Sequence, residues 1–260
     1  MSNTEEELVR FERRGHVAIF TLNRPKAMNA VSGDLSQCME RLMEEFENDD
    51  NLWIGILASS HPKVFCAGAD LKAINAGQSI ETKKGGFGGF VHFPRSKPMI
   101  AAVDGFALAG GCELVLTCDL VVASTKAKFG VPEVKRSLVP AAGGMFRLPR
   151  KLPQAIAMEL LLTGDPLSAE RMYSLGFVNE LVEPGKVLDA ALKLAERIEV
   201  NAPLAVRKAR SIALETVYGK DADAWKASSE GMKFLAKTPD FKEGPLAFIE
   251  KRAPKFTGKL

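Results

Sequence analysis

The stretch at residues 97–133 constrains this chain more than any other. It reads KPMIAAVDGFALAGGCELVLTCDLVVASTKAKFGVPE. Two short apolar runs, at 99–103 and 120–123, are bounded by turn-forming residues and read as buried strands. Between them Ala107-Leu108-Ala109-Gly110-Gly111 makes a small-residue turn. A helix is expected to open there, with Glu113 in its first turn. A second acid closes the segment at Pro132-Glu133. Each carboxylate therefore stands beside backbone made unusual by Gly or Pro, and the two are expected to face one substrate.

The whole chain, 260 residues, fits one large domain or a domain with an appendage. Hydrophobic content of 46% and charged content of 26% are those of a soluble globular protein. A net charge of +3 is too mild to argue for nucleic acid, though it suits a small anionic ligand where lysines gather. Cys38, Cys66, Cys112 and Cys118 form no C-x-x-C pair, which favours a reducing compartment. No apolar run approaches the ~20 residues of a membrane span. The start, MSNTEEELVRFERR, has no apolar signal core. The expectation is a cytoplasmic protein with neither membrane nor nucleic-acid partners.

Along the chain, residues 1–7 are polar and expected to fray. Residues 16–22 and 53–58 read as strands. Ser32 is placed to cap a helix carrying Leu35, Met39, Leu42, Met43 and Phe46 at helical spacing. The small residues at 65–70 let a ligand approach backbone closely. Residues 73–96 lack clear periodicity. Their Gly-Phe patch, 83–90, reads as the most flexible part of the chain, and the 73–96 loop as a mobile wall in which Phe87, Phe90 and Phe93 touch a substrate's apolar tail. Near residue 199 the composition shifts from mixed strand and helix to helix alone. That divides the chain into 1–198, a core with the site, and 199–260, a helical region.

The candidate chemistry lies in the turns and the acids. An amide freed by a Gly turn or a helix N-terminus is an unpaired donor, and two converging donors stabilise charge on a carbonyl oxygen. Ala69 and Gly110 are the candidates; a tight turn with no further role would use the same residues. Taken singly, Glu113 and Glu133 are ordinary helix starters, since acids are favoured in first turns and Pro-Glu opens helices. No Ser-His-Asp order, metal cluster, G-x-G-x-x-G or P-loop pattern is visible, so no metal is expected.

Five segments together are more specific than any one alone: FCAGADLK at 65–72, KPMIAAVDG at 97–105, AGGCEL at 109–114, FGVPE at 129–133 and PAAGGMFRL at 140–148. In this order they resemble the crotonase family, the enoyl-CoA hydratase/isomerase superfamily, and the likeness runs from about residue 9 to residue 259. The resemblance implies an α/β fold, a spiral of strand–strand–helix units followed by a C-terminal helical trimerisation region. It implies an acyl-CoA thioester substrate whose carbonyl oxygen lies between the Ala69 and Gly110 amides. Hydratases of the family pair one Glu after the Gly turn with one in the Pro-Glu motif, here Glu113 and Glu133. That pairing favours hydration of a 2-enoyl-CoA. An enoyl-CoA isomerase or another crotonase-type lyase is the alternative. An RNA-binding homologue is disfavoured by the acidic helix carrying Asp34, Glu40, Glu44, Glu45 and Glu47.

By the same resemblance Lys26, Ala67 and Lys72 contact CoA, and Phe248 and Lys251 reach a neighbouring subunit's CoA in a homotrimer or dimer of trimers. CoA is part of the substrate, and no cofactor is implied. Two positions depart from the pattern. The first of the family's frequent three glycines is Ala109, where little cost is expected because it is not the donor. The Gly common four residues after the Pro-Glu acid is Ser137, expected to reshape the acyl pocket. The stretches at 148–153 and 243–248 are similar to carnitinyl-CoA dehydratases.

Overall fold

The computed structural model describes residues 8–260; the fraying expected at 1–7 lies outside the described residues. Strands β1 (Val9–Arg14) and β2 (Val17–Leu22) form an antiparallel hairpin. Helix α1 (Gly33–Asn48) follows, and Ser32 Oγ accepts the Leu35 amide at its start, as its cap position predicts. Leu35, Met39, Leu42, Met43 and Phe46 all face the core.

Three windings then repeat one pattern. Strands β3 (Ile54–Ser59) and β4 (Val64–Cys66) lead to α2 (Leu71–Asn75). After the two-residue strands β5 (Glu81–Thr82) and β6 (Gly86–Phe87), strands β7 (Met99–Val103) and β8 (Phe106–Leu108) lead to α3 (Gly110–Thr117). Strands β9 (Leu120–Ser124) and β10 (Lys128–Gly130) lead to a 3-10 turn, Pro132–Arg136. The chain continues through α4 (Gly144–Lys151), α5 (Gln154–Thr163), β11 (Leu167–Ser168), α6 (Ala169–Ser174) and β12 (Glu180–Val182). In each winding the first strand joins the larger sheet, ordered β1-β2-β3-β7-β9-β12, and the second joins the smaller, ordered β11-β10-β8-β4. This is the strand–strand–helix spiral.

The strands of the larger sheet from β2 onward run parallel. Both faces are covered, so these strands read as unbroken apolar runs rather than alternating ones. Met99, Ala101 and Val103 enter the core between the layers. Ile100 and Ala102 face the opposite way and share a second cluster with Ala191, Leu194 and Ala195 of α7 (Val187–Glu199).

From there the described chain is helical: α8 (Pro203–Thr216), α9 (Asp221–Leu235) and α10 (Pro239–Ile249). Helix α8 is tied to the spiral by charge. Arg210 Nε donates to Asp119 Oδ1 at 2.8 Å, and Arg95 Nη1 donates to Asp119 Oδ2 at 2.9 Å. The tail turns back onto α10, where Asp240 accepts the Thr257 and Gly258 amides, each at 2.8 Å. Among the described residues no helix is long and apolar enough to cross a membrane.

The flexible reading of the Gly-Phe patch is overturned. Residues 85–91 are all buried, and Phe87, Phe90 and Phe93 belong to the main core. The glycines serve close approach. A Cβ built on Gly89 would lie 2.0 Å from the Ser36 carbonyl oxygen of α1. Glu40 of α1 fixes the same turn by accepting the Gly85 and Lys84 amides.

Candidate active site

The site begins where two distant loops are laced together. Val31 donates its amide to Gly68 O at 2.8 Å, Asp70 donates to Val31 O at 2.9 Å, and Ala67 donates to Met28 O at 3.1 Å. Asn29, fully buried at φ 52, holds the crossing together. Its Oδ1 accepts the Arg24 amide at 2.7 Å, while Nδ2 donates to Ser59 Oγ at 2.7 Å and Phe65 O at 3.1 Å. Arg24 also pairs with Asp70 at 2.9 Å, and Asp70 caps α2. None of these partners was foreseen, because each bond spans loops that carry no periodic signal.

Lacing places the two expected donors together. Gly68 sits at φ +97, and a Cβ built on it would stand 2.8 Å from Ala109 Cβ and 3.1 Å from the Gly110 amide nitrogen. Only glycine tolerates both the dihedral and the approach. Neither the Ala69 nor the Gly110 amide donates to an acceptor among the described residues. Gly110 opens α3, where the first N–H groups lack intrahelical partners. On its other side Gly110 is backed by the Phe87 ring, whose Cζ would lie 2.3 Å from a Cβ at 110.

Glu113 follows one turn into α3 and is only 2% exposed. Its Oε1 accepts the Gly144 amide at 2.8 Å, at the start of α4. Burial raises its pKa to about 7, against the lowering effect of the Gly144 and Ala142 amides; the nearby Glu133 charge adds to the rise. Glu133 lies in the 3-10 turn Pro132–Arg136, half-buried, and burial raises its pKa as well. Its Oε2 is buried without a hydrogen-bond partner among the described residues. Two carboxyls biased toward sharing a proton thus flank two unpaired amides.

The remaining sequence-predicted residues divide into two groups. Lys26, Ala67 and Lys72 are exposed, and the Ala67–Met28 bond brings their segments to one edge of the site. Phe248, 84% exposed, lies in the last turn of α10, and Lys251, at φ 54, just beyond it. Cys66, Cys112 and Cys118 are core thiols; burial pushes Cys66 and Cys118 up to about 12 and Cys112 in the same direction. Among the described residues no group of three His, Cys, Asp or Glu side chains could hold a metal ion.

Both departures from the family pattern sit at positive φ. Ala109 adopts φ 52, ψ −131, and Ser137 caps the 3-10 turn at φ 57, ψ 33. The glycine common at each position answers a backbone demand. This corrects the expectation of little cost at Ala109. Ser137 is exposed at the end of its turn, so its first consequence is for the backbone rather than the pocket.

A family model described as enoyl-CoA hydratase/isomerase matches residues 12–259. The chain belongs to that family. A short-chain-enoyl-CoA hydratase of Clostridium acetobutylicum is 39% identical over 246 residues, covering 93% of this chain and 94% of that protein. A carnitinyl-CoA dehydratase of Proteus mirabilis is 37% identical over 253 residues, covering 95% and 97%. The crystal structure of an enoyl-CoA hydratase from Mycobacterium marinum superposes with a TM-score of 0.94 at 46% identity, covering 98% of this chain and 100% of that one.

Proposed function

We propose that this protein is an enoyl-CoA hydratase, a hydro-lyase that reversibly adds water to a trans-2-enoyl-CoA to give the 3-hydroxyacyl-CoA. The observation that carries this reading is the placing of buried Glu113, with its pKa near 7, one turn after the free Gly110 amide and close enough to Glu133 for their charges to interact.

The chemistry follows from that arrangement. The thioester oxygen takes the Ala69 and Gly110 N–H bonds, which strengthen as enolate charge develops. Glu113, oriented by the Gly144 amide, takes a proton from water as its oxygen bonds to C3. The C2=C3 electrons move into the thioester enolate. Glu133 then delivers a proton to C2 as the enolate collapses; its unpartnered Oε2 favours the neutral acid before that step. The reverse sequence dehydrates the product. These steps use no metal or redox group.

Lys26, Ala67 and Lys72 are assigned to CoA on this chain, and Phe248 and Lys251 to the CoA of a neighbouring copy. The exposed apolar side chains of the C-terminal helices, Trp225, Leu246, Phe248 and Ile249 among them, favour a homotrimer or paired trimers in the cytoplasm. The test is isotopic. Incubation with a 2-enoyl-CoA in 18O-water places the label at C3. Double-bond migration without label would establish an isomerase and overturn the hydratase reading.

A further inference from the structure

At the far end of α3 and α4 from Glu113 and Gly144, a second concavity of about 900 Å³ opens between α4, α8 and residues 91–95. Its volume is that of a small-molecule site. None of Ala69, Gly110, Glu113 or Glu133 lines it.

The lining is electrostatically lopsided. Arg95, Arg147, Arg150, Lys151 and Arg210 face one carboxylate, Asp119, which is already shared between Arg95 and Arg210. Arg147 donates to two carbonyls, Ala142 O at 3.0 Å and Val91 O at 2.8 Å, and Lys151 donates to Cys118 O. Those bonds satisfy donors without cancelling charge. Arg150 has no carboxylate partner among the described residues. Its guanidinium lies between two rings, 5.0 Å from the Phe146 centroid and 5.1 Å from that of Tyr218. Burial, with neighbouring cations adding to it, holds the pKa of Arg147 and of Lys151 below the usual value. A concave surface of one sign with low-dielectric walls concentrates the opposite charge.

We infer that this cleft binds an amphipathic carboxylate, its head group on Arg150 and Lys151 and its flat apolar body against Phe146, Leu214 and Tyr218. The donor capacity left over sets the head group. Arg95, Arg147 and Arg210 each spend guanidinium N–H groups on Asp119 or on carbonyls, whereas Arg150 donates to no acceptor among the described residues, and its planar fork matches the two oxygens of a carboxylate. Apart from His92 and Thr117 the rest of the lining is apolar or aromatic, which calls for a body and not a bare ion.

The experiment is calorimetric titration of the full-length protein with 2-naphthoate. Saturating butanoyl-CoA, which has no double bond to hydrate, fills the thioester site throughout. One naphthoate binds per chain, at least tenfold tighter than the uncharged 2-naphthamide, and added salt weakens it. Arg150→Glu weakens it at least tenfold, and Arg150→Met, which keeps an apolar stem between the rings, weakens it by a similar factor. Circular dichroism establishes that both variants are folded. Equal affinity for acid and amide, indifference to Arg150, displacement by butanoyl-CoA, or no binding because a second copy of the chain closes the cleft would each overturn the proposal.

Discussion

Glu113 Oε1 accepts the Gly144 amide at 2.8 Å, so the acid of one helix's first turn rests on the N-terminus of the next helix. Such a donor favours the carboxylate, yet burial dominates and lifts the group from 4.5 to about 7. The folded chain therefore keeps a proton that the unfolded chain sheds between pH 4.5 and about 7. Stability falls as pH rises through that window and levels off above it, by on the order of 3 kcal/mol. Glu113→Gln retains an acceptor for the Gly144 amide and removes the titration. Its melting temperature is expected to fall less across the window than the wild type's, with Glu133 still contributing, and to exceed the wild type's at pH 8. Calorimetric scans from pH 4.5 to 8 check this; parallel curves for the two proteins would assign the slope elsewhere.

In the proposed reaction the two acids divide the proton transfers. Positioned acid–base groups contribute about 10²–10⁴-fold, so Glu113→Gln and Glu133→Gln are each expected to lower kcat by about that factor. Binding of butanoyl-CoA is expected to persist in both, because the proposed reaction has the thioester held by the Ala69 and Gly110 amides. The double variant loses less than the product of the single losses, since the pair acts as a unit. Steady-state kinetics of the three variants test it, and a product of losses that multiplies cleanly would mean independent roles.

Phe87 backs the Gly110 donor and is buried in the main core. Phe87→Ala is expected to cost about 3–5 kcal/mol of stability, the usual range for a large-to-small core change. It also loosens the Gly110 amide and lowers kcat on every acyl length alike. Urea unfolding together with a panel of enoyl-CoAs separates the possibilities. Unchanged stability with a reordered preference for chain length would return Phe87 to the wall of the acyl pocket.

Ala109 and Ser137 occupy positive-φ conformations at φ 52 and φ 57. The ψ of −131 at Ala109 falls outside the left-handed helical well that Ser137 occupies. Strain there is about 1–3 kcal/mol, against about 0.4–1 kcal/mol of added unfolded-state entropy for a new glycine. Ala109→Gly is therefore expected to stabilise by about 1 kcal/mol, raising Tm by about 2–4 °C. Ser137→Gly is expected to be near neutral. Differential scanning calorimetry of both variants would show the reading wrong if their order were reversed.

What could be read in advance follows from locality. The strands at 99–103 and 120–123, the Ser32 cap and the first-turn position of Glu113 depend on neighbours along the chain, and composition and spacing carry such information. The spiral itself came from motif resemblance, since nothing in the spacing says which sheet a strand joins. The Gly-Phe patch misled because glycine has the same appearance in a mobile loop and in a tightly packed one. Only the proximity of Ser36 O to Gly89 separates the two cases. Strand β1, VRFERR, is not expected as a strand from the sequence, since its edge position tolerates charge and leaves no apolar run to read. Gly144 and Ala142 could be seen as a turn but not as donors to Glu113, which precedes them by more than a strand and a turn of helix.

The Glu113–Gly144 bond also imposes an order of events during synthesis. A ribosome releases the Ala69 and Gly110 turns first, and α4 emerges only afterwards. Until α4 docks, Glu113 lacks its orienting amide. A nascent chain that has already wound two turns of its spiral thus still lacks the amide that orients its buried acid.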